Sequence, residues 1–193
     1  MNRNVSRGEA TRSQLIAVAT RMFAANGYEG TSIEAVLQEA GVSRGALYHH
    51  FGSKEALFEA VVEDLEAKLG EQTAAAAEGV EGPVALLRAG FLAWIRLAGD
   101  PVVRQILLID ALSVLGWERW RALDERPLGL IKVVLQMVAD EGGLRPDLVD
   151  PFAHVLLASG NELALLVALS EDPEAAMRSG AEAVDELLRR LLG

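Results

Sequence analysis

Cysteine is absent from this 193-residue chain, and only three residues are histidine. The first absence excludes disulfides, thiolate zinc sites and a cysteine nucleophile. The second leaves little for metal chemistry, so neither a metal nor a cofactor is expected. Long apolar runs are missing too. The longest, Leu163 to Leu169, falls well short of the roughly 18 residues that cross a bilayer, and Met1 to Glu9 lacks the apolar centre of a secretory signal. The expectation is a cytoplasmic protein with no membrane partner. With 51% hydrophobic and 24% charged residues, the chain has the composition of a globular protein.

An excess of positive charge is also lacking. The net charge is −10, which taken alone disfavours duplex DNA, itself a dense line of phosphates. The distribution of the charges points the other way. Residues 1–55 hold six basic and five acidic groups, net +1, whereas residues 56–193 hold twelve and twenty-three, net −11. The acidity belongs to the C-terminal part.

Apolar residues recur at helical spacing almost throughout, without period-two alternation, so the fold class is all-α. Capping residues before proline at Asp100-Pro101, Asp150-Pro151 and Asp172-Pro173, with Gly82-Pro83, mark helix starts; Gly27, Gly41, Gly99 and Gly142-Gly143 mark stops. These signals predict nine to ten helices, near 9–26, 33–40, 44–51, 54–78, 83–98, 101–112, 116–141 with a break before Pro127, 150–169 and 173–192. The fourth is long and joins an N-terminal unit, residues 1–53, to a larger one, residues 54–193.

Residues 31–57 carry the chemistry. Thr31 with Glu34 reads as a capping box, Gly41 permits a sharp turn, and Ser43 caps a second short helix. Two short helices joined by a tight glycine turn form a helix-turn-helix, whose second helix enters the major groove. Leu47 and Phe51, four apart, face inward. The other side presents Arg44, Gly45, Ala46, Tyr48 and His49: a guanidinium able to bond guanine twice, small residues that permit close approach, and a phenol within reach of phosphate. Lys54 opens the fourth helix, where its ammonium and the free amides favour a phosphate.

The run Thr31-Ser32-Ile33, Ala40-Gly41-Val42-Ser43, Gly45, Leu47-Tyr48, His50-Phe51 and Lys54-Glu55-Ala56-Leu57 resembles the DNA-binding domain of the TetR family of bacterial transcriptional repressors, over about residues 9 to 57. That resemblance implies base contact from Arg44, Gly45, Ala46 and Tyr48, and phosphate contact from Thr31, Ser43, Tyr48, His49, His50 and Lys54. Leu37 stands where the family usually has a small alanine, which implies altered packing between the two helices. The remainder is similar to the family in layout, a helical ligand-binding and dimerisation domain. The implied function is a ligand-responsive regulator, a repressor that binds a palindromic operator in double-stranded DNA as a homodimer and is released by a small-molecule effector.

Competing readings are weaker. Gly41-Val42-Ser43-Arg44-Gly45 matches the nucleophile elbow of α/β-hydrolases, but a helix precedes the serine where that motif needs a strand, so no enzyme is expected. His49 and His50 are adjacent on a helix, about 100° apart, and cannot converge on one metal. His50 is either a phosphate donor or a half-buried neighbour of Phe51.

Phe91, Trp94, Trp117, Trp120 and Met137 either line an effector pocket, which would favour an apolar or aromatic compound, or fill the core. Asp110 is either an orienting group in that pocket or an exposed residue, and His154 either a ligand contact or a satisfied core or interface histidine. Phe152, Val155, Leu156, Ser159, Leu163 and Leu166 make the penultimate helix apolar on more than one face; Val184, Leu187, Leu188 and Leu191 form a stripe on the last. Paired across a twofold axis, the two helices would make a four-helix bundle.

Overall fold

The computed structural model describes residues 3–192, with side chains from Gly8 onward, and contains no strand among them. Helices α1 (Arg3–Asn26), α2 (Ile33–Ala40), α3 (Arg44–His50), α4 (Lys54–Ala76) and α5 (Pro83–Ala98) come first. A short α6 (Pro101–Val103) runs into a π-helical segment, Arg104–Asp110, and on into α7 (Ala111–Leu123). Then follow α8 (Glu125–Asp140), a 3₁₀ turn (Pro146–Leu148), α9 (Val149–Ala168) and α10 (Pro173–Leu192). The all-α class read from periodicity is the observed one.

Most boundaries obey their capping chemistry. Asp172 caps α10 by accepting from the Ala175 amide at 3.0 Å, and Gly41 ends α2 in the left-handed region at φ 63°. Two starts differ. Ser32, rather than Thr31, caps α2, its hydroxyl accepting from the Ala35 amide at 3.1 Å. Asp150 does not cap α9, which already begins at Val149; its carboxylate pairs with Lys132 of α8 at 2.5 Å. The expected break before Pro127 falls at Asp124, which puts the proline in the first turn of α8. Gly116 is a break inside α7, at φ 76° and ψ 170°.

The chain forms two compact units, Met1–Ala67 with Pro101–Glu118, and Lys68–Asp100 with Arg119–Gly193. This division differs from a single boundary at residue 53, because α6, the π-helical segment and most of α7 pack with the N-terminal helices. Leu15, Val36, Leu47, Phe58 and Val61 fill the first core, joined by Val103, Ile106 and Ala111 from that later segment. Phe23, Tyr28 and Phe58 form an aromatic trio with ring centroids 5.2–5.7 Å apart.

In the second unit α5, α8, α9 and α10 enclose Leu87, Phe91, Ile95, Leu135, Val138, Leu156, Val184 and Leu188. Each such side chain stabilises the fold by about 1.5–3 kcal/mol on burial. The closest approach is at Gly160 of α9, where a Cβ would lie 2.6 Å from Phe91 Cε1. Arg88 ties α5 to α10 by donating to both Asp185 oxygens, at 2.5 and 3.0 Å. By length and mean hydropathy, 1.4, Pro146–Ala168 is apolar enough to cross a membrane. That qualifies the expectation drawn from unbroken runs. The apolarity of α9 has an internal use, since eight of its residues are buried in this unit.

Candidate nucleic-acid interface

The helix-turn-helix is built by short-range rules. Gly41 turns the chain, Ser43 accepts from the Ala46 amide at 3.2 Å to start α3, and Leu47 and Phe51, 0% and 3% exposed, anchor α3 to the core. From α1, Gln14 donates to the Ala40 carbonyl at 2.8 Å and Arg21 pairs with Glu39 at 3.0 Å, fixing α2.

With Leu47 pointing in, α3 presents a polar face. Arg44, Gly45, Tyr48 and His49 are exposed and Ala46 is half-buried. A Cβ at Gly45 would meet nothing within 4 Å, so this part of the helix offers bare backbone to an incoming surface. The Arg44 guanidinium lies 5.9 Å from the Tyr48 ring centroid and pairs with Glu34 of α2. The His50 ring is half-buried between those of His49 and Phe51, at centroid distances of 5.3 and 6.2 Å. Leu37 is half-buried on α2.

Lys54 begins α4 behind the capping Ser53, whose hydroxyl accepts from the Ala56 amide at 3.1 Å. Its ammonium rests 4.0 Å from the Tyr28 ring centroid, a cation–π contact that leaves the charge half-exposed. Burial, followed by the charges of Glu55 and Glu29, pushes the Tyr28 phenol above its usual 10.0, so the ring beneath Lys54 is neutral.

Thr31 requires a correction. Its side chain is 1% exposed and its hydroxyl shares its proton between the carbonyls of Gly27, at 2.9 Å, and Met22, at 3.1 Å. Thr31 fastens the end of α1 to α2 and presents no hydroxyl to a phosphate. Its exposed neighbour Ser32 holds the cap, an exchange that the repeated hydroxyl residues at 31 and 32 concealed.

The residues expected to line an effector pocket are divided between the two units. Phe91 is core, and Trp94 lies on the same helix with a buried indole N–H that has no acceptor. Asp110 and Trp117 belong to the unit that carries the helix-turn-helix, where Asp110 accepts from the Tyr28 amide and Trp117 is 63% exposed. Trp120 is half-buried in the other unit. Met137 is exposed on α8, and His154 is exposed on α9 beside Asp150 at 3.9 Å, so it is neither core nor enclosed. An open hollow of about 350 Å³ beside Ala74, Ala75, Ala77 and Glu78 contains none of these residues.

The expected dimer residues divide likewise. Leu156, Val184 and Leu188, at most 2% exposed, are intrachain core; Phe152, Leu163, Leu187 and Leu191 pack partly against it; and Ser159 is half-buried, donating to the Val155 carbonyl at 2.8 Å. Of the stripe on α10, Val184 and Leu188 are thus taken by their own chain, and Leu187 and Leu191 in part. Val155 and Leu166 are exposed, with Leu169 on the same helix and Leu130, Val133 and Met137 on α8. Sequence reading missed Leu130 and Val133.

A family profile for bacterial regulatory proteins of the tetR family matches residues 15–61, and one for the tetracyclin repressor-like C-terminal domain matches residues 84–191. The chain belongs to the TetR family. It is a DNA-binding transcriptional regulator of the ligand-responsive type and not an enzyme. Among relatives of this TetR-family regulator, the HTH-type transcriptional repressor AcnR of Corynebacterium glutamicum is 32% identical over 161 residues, 76% of each chain. AcnR of Corynebacterium efficiens is 29% identical over 153 residues, again 76% of each. The crystal structure of a TetR-family regulator from Pectobacterium atrosepticum superposes with a TM-score of 0.82 at 30% identity, covering 100% of this chain and 98% of the other.

Proposed function

We propose that this TetR-family regulator is a homodimeric repressor whose paired α3 helices read the two halves of a palindromic operator, and that a small-molecule effector releases it. The observation that carries the reading is the face of α3, where Arg44, open Gly45, Tyr48 and His49 surround a buried Leu47 anchor. Arg44, Gly45, Ala46 and Tyr48 contact bases; Ser43, Tyr48, His49, His50, Lys54 and exposed Ser32 contact phosphates. Residues 1–67 with 101–118 act as the reading unit, and 68–100 with 119–193 as the sensing and dimerising one. The repressor names of the AcnR relatives support the direction of control. The proposed binding of duplex DNA supports a cytoplasmic location.

The homodimer is supported by exposed apolar residues on two neighbouring helices, Leu130, Val133 and Met137 of α8 and Val155, Leu166 and Leu169 of α9. Pairing these across a twofold axis would give the dimer two α3 helices, one for each half of a palindromic site. For the effector, the unpaired indole N–H of Trp94 within apolar α5 favours a largely apolar or aromatic compound with one hydrogen-bond acceptor. By linkage, operator DNA weakens effector binding by the factor with which effector weakens DNA binding.

The test is retention of sheared DNA from the source organism on the purified protein at about 0.1 M salt, close to physiological screening. An inverted repeat is the expected enrichment. Arg44→Ala then costs about 1–3 kcal/mol on that repeat and relaxes one base pair per half-site, while Lys54→Ala weakens all sequences alike. No enrichment over random fragments, or equal Arg44→Ala losses on repeat and random DNA, would refute the reading.

A further inference from the structure

Asp110 lies 82 positions from Tyr28 in sequence, yet its carboxylate accepts from the Tyr28 amide at 2.8 Å. This bond depends on an unusual piece of helix. Between Arg104 and Asp110 the backbone is π-helical, and the Ala111 amide that follows bonds back to Ile106, five residues earlier. On an α-helix, residues five apart point about 140° from each other. A π turn brings them to one side, and here both Gln105 and Asp110 close on Gly27: a Cβ built there would lie 3.3 Å from Gln105 Nε2 and 3.7 Å from Asp110 Oδ2. Gly27 itself has φ 71°, so the turn that ends α1 has no side chain to hold those two away.

The contacts continue toward the DNA-binding face. The Tyr28 ring stacks on Phe23, meets Phe58 edge-on and carries the Lys54 ammonium 4.0 Å from its centre. Two contacts joined by Tyr28 itself therefore run from the π turn to the lysine at the head of α4: a hydrogen bond to its amide and a cation–π contact with its ring.

We propose that Asp110 is a positioning residue for DNA binding: held in reach by the π turn, it fixes the Gly27–Tyr28 turn, and through the Tyr28 ring it sets the Lys54 ammonium where a DNA phosphate is met. The inference rests on the assignment of Lys54 as a phosphate contact. DNA affinity then depends on the register of residues 104–110. A shift of that segment to α-helical winding turns Asp110 away from Tyr28 and releases Lys54, with no substitution at any residue that touches DNA. The sequence between α5 and α8 thereby has a direct handle on affinity.

The experiment is equilibrium binding of a mixed-sequence duplex of about 40 base pairs, long enough for two half-sites, at about 50 to 200 mM salt. The proteins are wild type, Asp110→Ala, Lys54→Gln and the double variant. Asp110→Ala is expected to weaken binding roughly threefold to tenfold and to flatten the salt dependence toward that of Lys54→Gln. In the Lys54→Gln background the same substitution changes affinity less than about twofold, because coupled residues are not additive. Hydrogen exchange at the Tyr28 amide accelerates in Asp110→Ala. Asp110→Asn, which keeps an acceptor for that amide, stays near wild type and guards against a folding defect. Equal losses from Asp110→Ala in both backgrounds, or an Asp110→Asn loss as large as that of Asp110→Ala, would overturn the proposal. Failure of the wild type to bind any duplex would instead overturn the regulator reading, and this inference with it.

Discussion

Glu34 of α2 holds the guanidinium of Arg44 at 2.5 Å across the turn that joins the two helices of the motif. Both side chains are well exposed, 67% and 63%, so the pair contributes little to stability and is there to be exchanged. A base edge that takes Arg44 must compete with Glu34, and the carboxylate also opposes neighbouring phosphates. Glu34→Gln should therefore bind random duplex DNA about threefold tighter, with a narrower gap between operator and random sequences. Titrations of both DNAs at one salt concentration provide the check, and unchanged discrimination would count against the exchange.

The contact between α5 and α9 allows no methyl group. With a built Cβ at Gly160 only 2.6 Å from Phe91 Cε1, Gly160→Ala forces a buried ring to move and is expected to cost about 1–3 kcal/mol in urea unfolding. Phe91→Leu in the same chain should restore part of that loss. A stability unchanged by Gly160→Ala would mean that the ring has room to rotate.

Self-association should depend on α8 and α9 and little on α10. Leu166 is 58% exposed, so Leu166→Glu leaves the chain folded while placing charge in the proposed dimer seam. Sedimentation should show single chains in place of pairs. Operator affinity should fall by roughly a hundredfold or more, since each half-site is then bound without the linked second one. A dimer that survived Leu166→Glu and Val133→Glu together would place the seam elsewhere.

One electrostatic effect has a defined pH window. The Arg88 guanidinium bonded to Asp185 holds that carboxyl below its usual 3.8. A carboxylate with a depressed folded-state pKa stabilises fully above its unfolded pKa, near 3.9, and loses that contribution as pH falls through the folded value. Asp185→Asn should be less stable than wild type at pH 7 by no more than about 1 kcal/mol, since the pair is about half exposed. The gap should close below about pH 4 in parallel unfolding curves. A constant difference across that range would assign the effect to packing.

What the sequence revealed and what it withheld follow from the range of the interactions. Gly41, Ser43 and Leu47 were readable because turn, cap and anchor obey rules spanning only four residues. Thr31 and Ser32 were exchanged because two adjacent hydroxyl residues fit one cap position, and burial alone separates them. The apolar stripe containing Val184 and Leu188 looks the same whether its partner is α5 of its own chain or a second copy. Asp110 was unreadable for a further reason, since helical spacing assumes 3.6 residues per turn and the bond to Tyr28 arises where the chain departs from it.

The path of the chain between its two units limits how the protein can be cut or recombined. Pro101–Glu118 follows the end of α4 and α5 of the other unit in sequence, yet Val103, Ile106 and Ala111 complete the core of the unit that carries α3, against α1. A reader ended at residue 67 would lack one wall of its interior and the carboxylate that holds Tyr28. A hybrid regulator that takes its operator specificity from this chain must import two separated stretches and rejoin the sensor at three points. Exchange at a single seam near residue 53 or 67 would yield a reader that is incomplete however well its recognition helix is preserved.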